Sequence, residues 1–267
     1  TDTYNRFNSE RVSVDTPNLV TVNPTAVLQF GITDSVDIGI NLGGVGNWEL
    51  DSQGGGFSDM TATLGFKICA QSNFVPKIKF AIKETFPTGQ YQNLNTNSLA
   101  LSASGSGSFQ TQFSLAFGKL FFWTTAHPFN TRLFLGYNIP TPVTVRGFNA
   151  YGGGFGTKGT VKPGNSFLAD LGLELSLDER WVIAIDMAYT ATNQTKFHGN
   201  PGATADGSPA SVGGGYSDNL SLAPALEYNW SSNLGILGGL WFSVYGRNSG
   251  NFLSAVISVN WVFDVTK

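Results

Sequence analysis

The constraint that most narrows what this chain can become is a strict two-residue alternation that recurs along nearly its whole length. Val20, Val22, Pro24, Ala26, Leu28, Phe30 and Ile32 alternate with Thr21, Asn23, Thr25, Val27, Gln29 and Gly31. After Thr33-Asp34-Ser35 the pattern resumes, with Val36, Ile38, Ile40 and Leu42 opposite Asp37, Gly39 and Asn41. Successive side chains of a strand point to opposite faces, so a period of two predicts strands with one apolar and one polar face. Met60, Ala62, Leu64, Phe66 and Ile68 stand in the same way against Thr61, Thr63, Gly65, Lys67 and Cys69, and Ile78, Phe80 and Ile82 against Lys77, Lys79 and Lys83. The pattern continues through 109–123, 133–139, 167–177, 181–189, 220–229, 236–244 and 253–263. Lys119 breaks the apolar face near one segment end.

Many of these segments reach ten residues. A globular strand averages ~5–6 residues, whereas a tilted strand needs ~9–11 to cross a bilayer. Their polar faces carry Thr, Ser, Asn, Gln and Gly with few charges, and only 12% of the chain is charged, about half the usual share. A soluble barrel would put its apolar face inside and its charges outside; this pattern predicts the reverse. The expected fold is therefore all-β, a transmembrane antiparallel up-and-down barrel. No apolar run approaches the ~20 residues of a membrane-spanning helix.

Connections fall into two kinds. Those at 32–35, 71–76, 126–129, 177–180 and 230–233 are short, while 49–58, 87–107, 141–164 and 193–216 are long and rich in Gly, Ser and Asn. Short periplasmic turns and long extracellular loops are the rule for such barrels. From residue 18 onward the pattern contains eleven strands. An even number with both termini on the periplasmic side requires one more, expected within about residues 3–14, making about twelve in a single domain spanning 1–267. Trp123, Trp181, Trp230, Trp261 and Phe263 fall at short-turn ends, and Trp48, Phe86, Phe109, Tyr137 and Tyr189 at long-loop ends. Two aromatic girdles, one per water–lipid interface, account for that sorting.

At residues 17–40 (PNLVTVNPTAVLQFGITDSVDIGI) and 84–91 (ETFPTGQY) the chain resembles the outer-membrane barrel family of transporters assigned to the MetA pathway of phenol degradation. The likeness rests on the turn Gly31-Ile32-Thr33-Asp34 and on a strand ending Pro87-Thr88-Gly89; loops 141–164 and 193–216 carry nothing that maps. The resemblance implies an outer-membrane transporter of small organic or aromatic compounds, with no catalytic residues and no cofactor.

Candidate functional residues lie on the polar faces. Lys67, Lys77, Lys79 and Lys83 occupy two neighbouring strands, and Asp170, Glu174, Asp186 and Glu227 three later ones; Arg132 and Arg247 join the set. In a barrel of about twelve strands the two groups sit on roughly opposite walls. Two readings follow: a basic wall facing an acidic wall and setting ion selectivity, or a structural network in which lysines reach across to the carboxylates and fill the barrel. The partners expected are outer-membrane lipids, small-molecule solutes and, during insertion, the barrel-assembly machinery. The alternative to a channel is a non-conducting structural or adhesive barrel.

Other chemistry finds little support. The net charge of −3 with no dense Lys/Arg tract excludes a nucleic-acid footprint. Cys69 is the lone cysteine, which excludes a disulfide framework and a cysteine-based zinc module. His127 and His198 lie in connections with no Ser and acid beside them in one constellation. Tyr151–Thr160, rich in Gly, lacks the Gly-Lys-Ser/Thr order of a phosphate loop and reads as a flexible outer loop. Asp59 and Asp218, each following a Gly-rich loop end, read as turn-stabilising residues with cation binding as the alternative. The opening TDTYNRFNSERVSV has neither the basic start nor the apolar core of a secretory signal, which suits a mature exported form. The 17 residues before the first clear strand are too few for the plug of an energised transporter, so passive diffusion is expected. Residues 264–267 extend past the terminal aromatic, and their origin is open.

Overall fold

The computed structural model describes residues 1–95, 98, 101–122 and 127–263. Among the described residues there are seventeen strands: β1 (Asp2–Phe7), β2 (Ser13–Val22), β3 (Thr25–Thr33), β4 (Val36–Glu49), β5 (Ser52–Phe57), β6 (Met60–Cys69), β7 (Lys77–Phe86), β8 (Gln110–Phe122), β9 (Pro128–Pro140), β10 (Val143–Arg146), β11 (Lys158–Lys162), β12 (Ser166–Ser176), β13 (Trp181–Thr192), β14 (Lys196–Asn200), β15 (Ser217–Ser231), β16 (Leu234–Arg247) and β17 (Ser249–Trp261). Among the described residues no helix is long and apolar enough to cross a membrane. Trp123, Ala126 of the 126–129 turn and the tail 264–267 lie outside the described residues.

β2 and β3 both pair with β4 and form one wall strand, interrupted at Asn23-Pro24, where proline has no amide to donate. With those two counted together, the ring runs β1, β2/β3, β4, β6, β7, β8, β9, β12, β13, β15, β16, β17 and back to β1, a closed antiparallel barrel of twelve strands. The strand required by parity is β1, which bridges residues 13–20 of β2 and 249–253 of β17. Thr1 donates through its backbone N to the Thr21 carbonyl at 2.8 Å and through its hydroxyl to Ser254 Oγ at 2.9 Å. Below that level β3 pairs with β4 and the lower part of β17 with β16. A cavity of about 830 Å³ lies between them, lined by Thr25, Val27 and Gln29 on one side and Ile257, Ser258 and Val259 on the other.

The molecule is inside-out relative to a soluble barrel. Outward residues such as Phe30 (50%), Leu240 (51%) and Ile257 (81%) are exposed on the barrel surface. Apolar area of that extent is stable only against lipid. The buried apolar core lies elsewhere, in the long loops: Val143, Val145 and Val161 pack with Tyr91, Tyr151, Phe197 and Val212. There β10, β11 and β14 form a three-stranded sheet, and Leu94 N donates to Phe148 O and Gly213 N to Tyr151 O, knitting loops 87–107, 141–164 and 193–216 into one cap.

That cap corrects the expectation of a flexible loop at 151–160. Thr157 is buried, and its hydroxyl bonds the carbonyls of Gly154 (3.0 Å) and Pro201 (2.6 Å). Gly152 and Gly153 take φ of 103° and 93°, so glycine here shapes fixed turns that a Cβ would strain. The half-buried Tyr151 phenol is pushed up to about 12 by burial and by the nearby Asp59 carboxylate. The strands β5, β10, β11 and β14 were not legible in the alternation: each has six residues or fewer, β5 doubling back on the end of β4 and β10, β11 and β14 pairing with one another across the long loops.

At the short-turn end, Asp178 accepts from the amides of Arg180 and Trp181 at 2.7 Å each, which holds its carboxyl below the usual carboxylate range. Lys119 reaches the carbonyls of Ser72 and Asn73 at 2.6 and 2.8 Å, so its charge caps a turn at the membrane edge. Aromatic contacts mark both rims, with Phe86 and Phe109 edge-to-face at 6.1 Å and Trp181 against Tyr228 at 4.7 Å.

Phe80 sits mid-strand on the outer face, stacked between Phe66 (6.3 Å) and Phe113 (6.5 Å). Phe80→Arg is expected to lower unfolding free energy in lipid vesicles by ~2–4 kcal/mol, while Ala116→Arg, directed into the lumen, changes it by less than about 1 kcal/mol. Equal losses in a urea titration would contradict this assignment of faces.

Candidate functional site

The lumen lysines stand on β6 (Lys67) and β7 (Lys77, Lys79, Lys83). The carboxylates stand on β12 (Asp170, Glu174), β13 (Asp186) and β15 (Glu227), with β8 and β9 between the two groups in the ring. Two ion pairs run along the wall. Lys79 Nζ donates to Asp37 Oδ1 at 2.7 Å, and Gln29 Nε2 donates to the same oxygen at 2.9 Å. Arg132, on β9, donates to Asp186 Oδ1 at 3.1 Å.

Each pair crosses one intervening strand, and each crosses it at a glycine. A Cβ on Gly65 of β6 would lie 2.4 Å from Lys79 Cε and 2.8 Å from the Asp37 carboxylate. One on Gly172 of β12 would lie 2.5 Å from Asp186 Oδ1 and 3.1 Å from the Arg132 guanidinium. Register puts Arg132, Gly172 and Asp186 in one row across β9, β12 and β13. The glycines are saddles over which long charged side chains meet. Because Arg132 and Asp186 stay 45% and 39% exposed, their pairing contributes under about 1 kcal/mol to stability. Its consequence is positional: it lays the charges flat on the wall.

The remaining candidates differ in what holds them. Glu174 accepts from Asn130 Nδ2 at 2.8 Å, whereas Asp170 Oδ1 is buried with no hydrogen-bond partner. Among the described residues no ion pair includes Lys67, Lys77, Lys83 or Glu227. Arg247 departs from the expected lumen position. A one-residue bulge in β16 shifts its register, so that Arg247 faces Asp218 on the side that carries Leu220 and Leu222, at the outer rim. Asp218 itself takes a two-pronged contact from Arg11 at 2.6 and 2.9 Å, and Arg11 lies 4.7 Å over the Tyr245 ring.

The long-loop mouth of the barrel is narrowed by chain 101–106. Asn47, on the inner face of β4, donates to the Leu101 carbonyl at 2.9 Å. A Cβ on Gly54 would lie 2.5 Å from Leu101, so the segment lies directly on the β4–β5 wall. Asp59 ties it down by accepting from Gly89 N (2.9 Å), Ser106 N (2.7 Å) and Ser106 Oγ (2.8 Å). Tyr151 Oη adds a bond to the Ser106 carbonyl at 2.8 Å. Asp59 therefore stabilises a loop. His127 contacts the Ser176 carbonyl at 3.2 Å, and His198 pairs within the cap sheet opposite Thr160.

Asp37, Gln29, Gly65, Gly172 and the 101–106 segment are absent from the sequence-derived set. Asp37 and both glycines were visible as polar-face residues, but their roles depend on which strands neighbour one another and in what register. Asp59→Ala is expected to speed amide hydrogen exchange at Gly89 and Ser106 by about tenfold or more, as a loss of charge-assisted bonds requires. Unchanged exchange at both amides, in a barrel that still migrates as folded, would remove Asp59 from this role.

The fold matches the crystal structure of an outer membrane channel from Pseudomonas putida F1, with a TM-score of 0.65, 14% identity and coverage of 98% of this chain and 90% of that one. The likeness to the NanC porin is lower, with a TM-score of 0.46, 10% identity and coverage of 92% and 99%. No family model and no curated protein matches the chain. At 14% identity the shared property is architecture: this chain is a twelve-stranded barrel of outer-membrane type.

Proposed function

We propose that this protein is a channel of the bacterial outer membrane through which small solutes diffuse passively. The observation that carries the reading is the direction of the lumen ion pairs: Lys79 with Asp37 and Arg132 with Asp186 run along the wall, each spanning one strand. Charged groups laid flat leave the axis to water and solute, where a structural network would bridge it. The apolar outer face meets outer-membrane lipid, and a barrel of this kind needs the barrel-assembly machinery to insert. No step in this reading calls for a catalytic residue or a cofactor.

The resemblance at residues 17–40 and 84–91 makes small organic and aromatic compounds the first solutes to try. In liposome swelling, folded protein is expected to admit small solutes at rates that fall with solute size. A complete lack of swelling would leave the second reading, a non-conducting barrel that displays its cap, which the packed loop core around Val145 and Val161 favours.

The lumen lysines supply the selectivity arm. Replacing Lys79 and Lys83 together by Glu is expected to move the zero-current potential in a salt gradient toward cations. If conductance and selectivity both stay as in the unmodified channel, these lysines do not tune passage.

A further inference from the structure

We infer that the lumen holds a binding site for a small organic carboxylate between Lys77 and Arg132, an assignment that rests on the channel reading and names a solute class for it. Register places Lys77, Gly118, Arg132, Gly172 and Asp186 in one row across β7, β8, β9, β12 and β13. Directly opposed residues share a face, so all five front the lumen. Charged residues therefore alternate with glycines along this row.

Gly172 is filled from above by the Arg132–Asp186 contact, but Gly118 is not. A Cβ there would meet nothing nearer than Thr131 O at 4.0 Å. The result is a depression floored by Gly118, with cations on the two flanking strands, about 9–10 Å apart at the backbone. A cavity of about 370 Å³ occupies it, lined by Lys77, Lys79, Gly118, Leu120, Asn130 and Arg132.

The residues lining this cavity include three cations and no carboxylate, with Glu174 held by Asn130 at its edge. Lys79 is offset by Asp37, and Arg132 uses Nη2 toward Asp186 while the rest of its guanidinium offers further donors. Lys77 is exposed and in no ion pair among the described residues. The Arg132 guanidinium leans over Gly172 toward Asp186, so Lys77 supplies the charge at the Gly118 floor while the remaining Arg132 donors border the depression, an arrangement that suits a carboxylate held chiefly by Lys77. Ala116 and Leu120, on the inner face of β8, give an organic tail an apolar surface that a bare inorganic anion would leave uncovered.

The test uses benzoate as the probe, titrated by calorimetry into the detergent-purified full chain, with benzyl alcohol as its neutral counterpart. Saturable benzoate binding is expected, weakened by about tenfold or more in Lys77→Gln and in Arg132→Gln and little changed in Lys196→Gln, on the exposed face of the cap strand β14. Gly118→Leu should fill the depression and abolish binding while circular dichroism and heat-modifiable migration report an intact barrel. Equal binding of benzyl alcohol, or benzoate affinity indifferent to both Lys77→Gln and Arg132→Gln, overturns the site. Since calorimetry needs no conduction, binding without liposome swelling would sink the channel reading and keep the site. Swelling without binding would do the opposite.

Discussion

In the hydrocarbon of a bilayer there is no water to take up a backbone amide or carbonyl, and each one left unpaired costs several kcal/mol. Wall strands therefore need partners on both sides, which a sheet achieves by closing on itself; the ring closes at the level of β1, and below it β3 and the lower part of β17 are each paired on one side. Here closure depends on β1, six residues long, seated between β2 and β17. Through it the first and last parts of the chain become neighbours, and Thr1 N is bound to the Thr21 carbonyl. The alternation of apolar and polar residues, the tilt and the register of all later strands act within that closed ring.

Closure also decides where stability comes from. The barrel has almost no buried apolar core of its own, because its apolar faces point outward to lipid. Its interior is a wall of small polar residues and spaced charges. The conventional core has moved into the cap, where Val143, Val145 and Val161 are packed by loop aromatics. This division lets the inner wall stay wet while the loops over the mouth stay ordered. Asp59 joins the two regions, since it stands at the start of β6 and holds loop chain from both sides of 89–106.

Glycine has two distinct uses in this molecule. In the cap, Gly152 and Gly153 occupy backbone conformations that other residues resist. On the inner wall the backbone is ordinary extended strand, and Gly65 and Gly172 are needed for the room they leave, which lets a Lys–Asp and an Arg–Asp pair meet across a strand. Gly118 has the same place in its row but among the described residues no side chain crosses it, so an opening remains between two cations. A wall built only of Thr and Ser would give neither the lateral pairs nor the depression.

The sequence alone determined the architecture, because strand faces, strand length and turn length are local properties that print directly on residue order. The two-residue period, segments of ten residues and the sorting of short turns from long loops led to twelve strands, and even the weakly patterned β1 followed from parity. Tertiary structure decided the rest. Which charges meet depends on the neighbours of β6 and β12. Whether Arg247 faces the lumen depends on one extra residue in β16. The cap depends on loops 87–107, 141–164 and 193–216 pairing with one another. These outcomes rest on register and on contacts between residues far apart in the chain, and a residue's own neighbours in sequence carry no record of either.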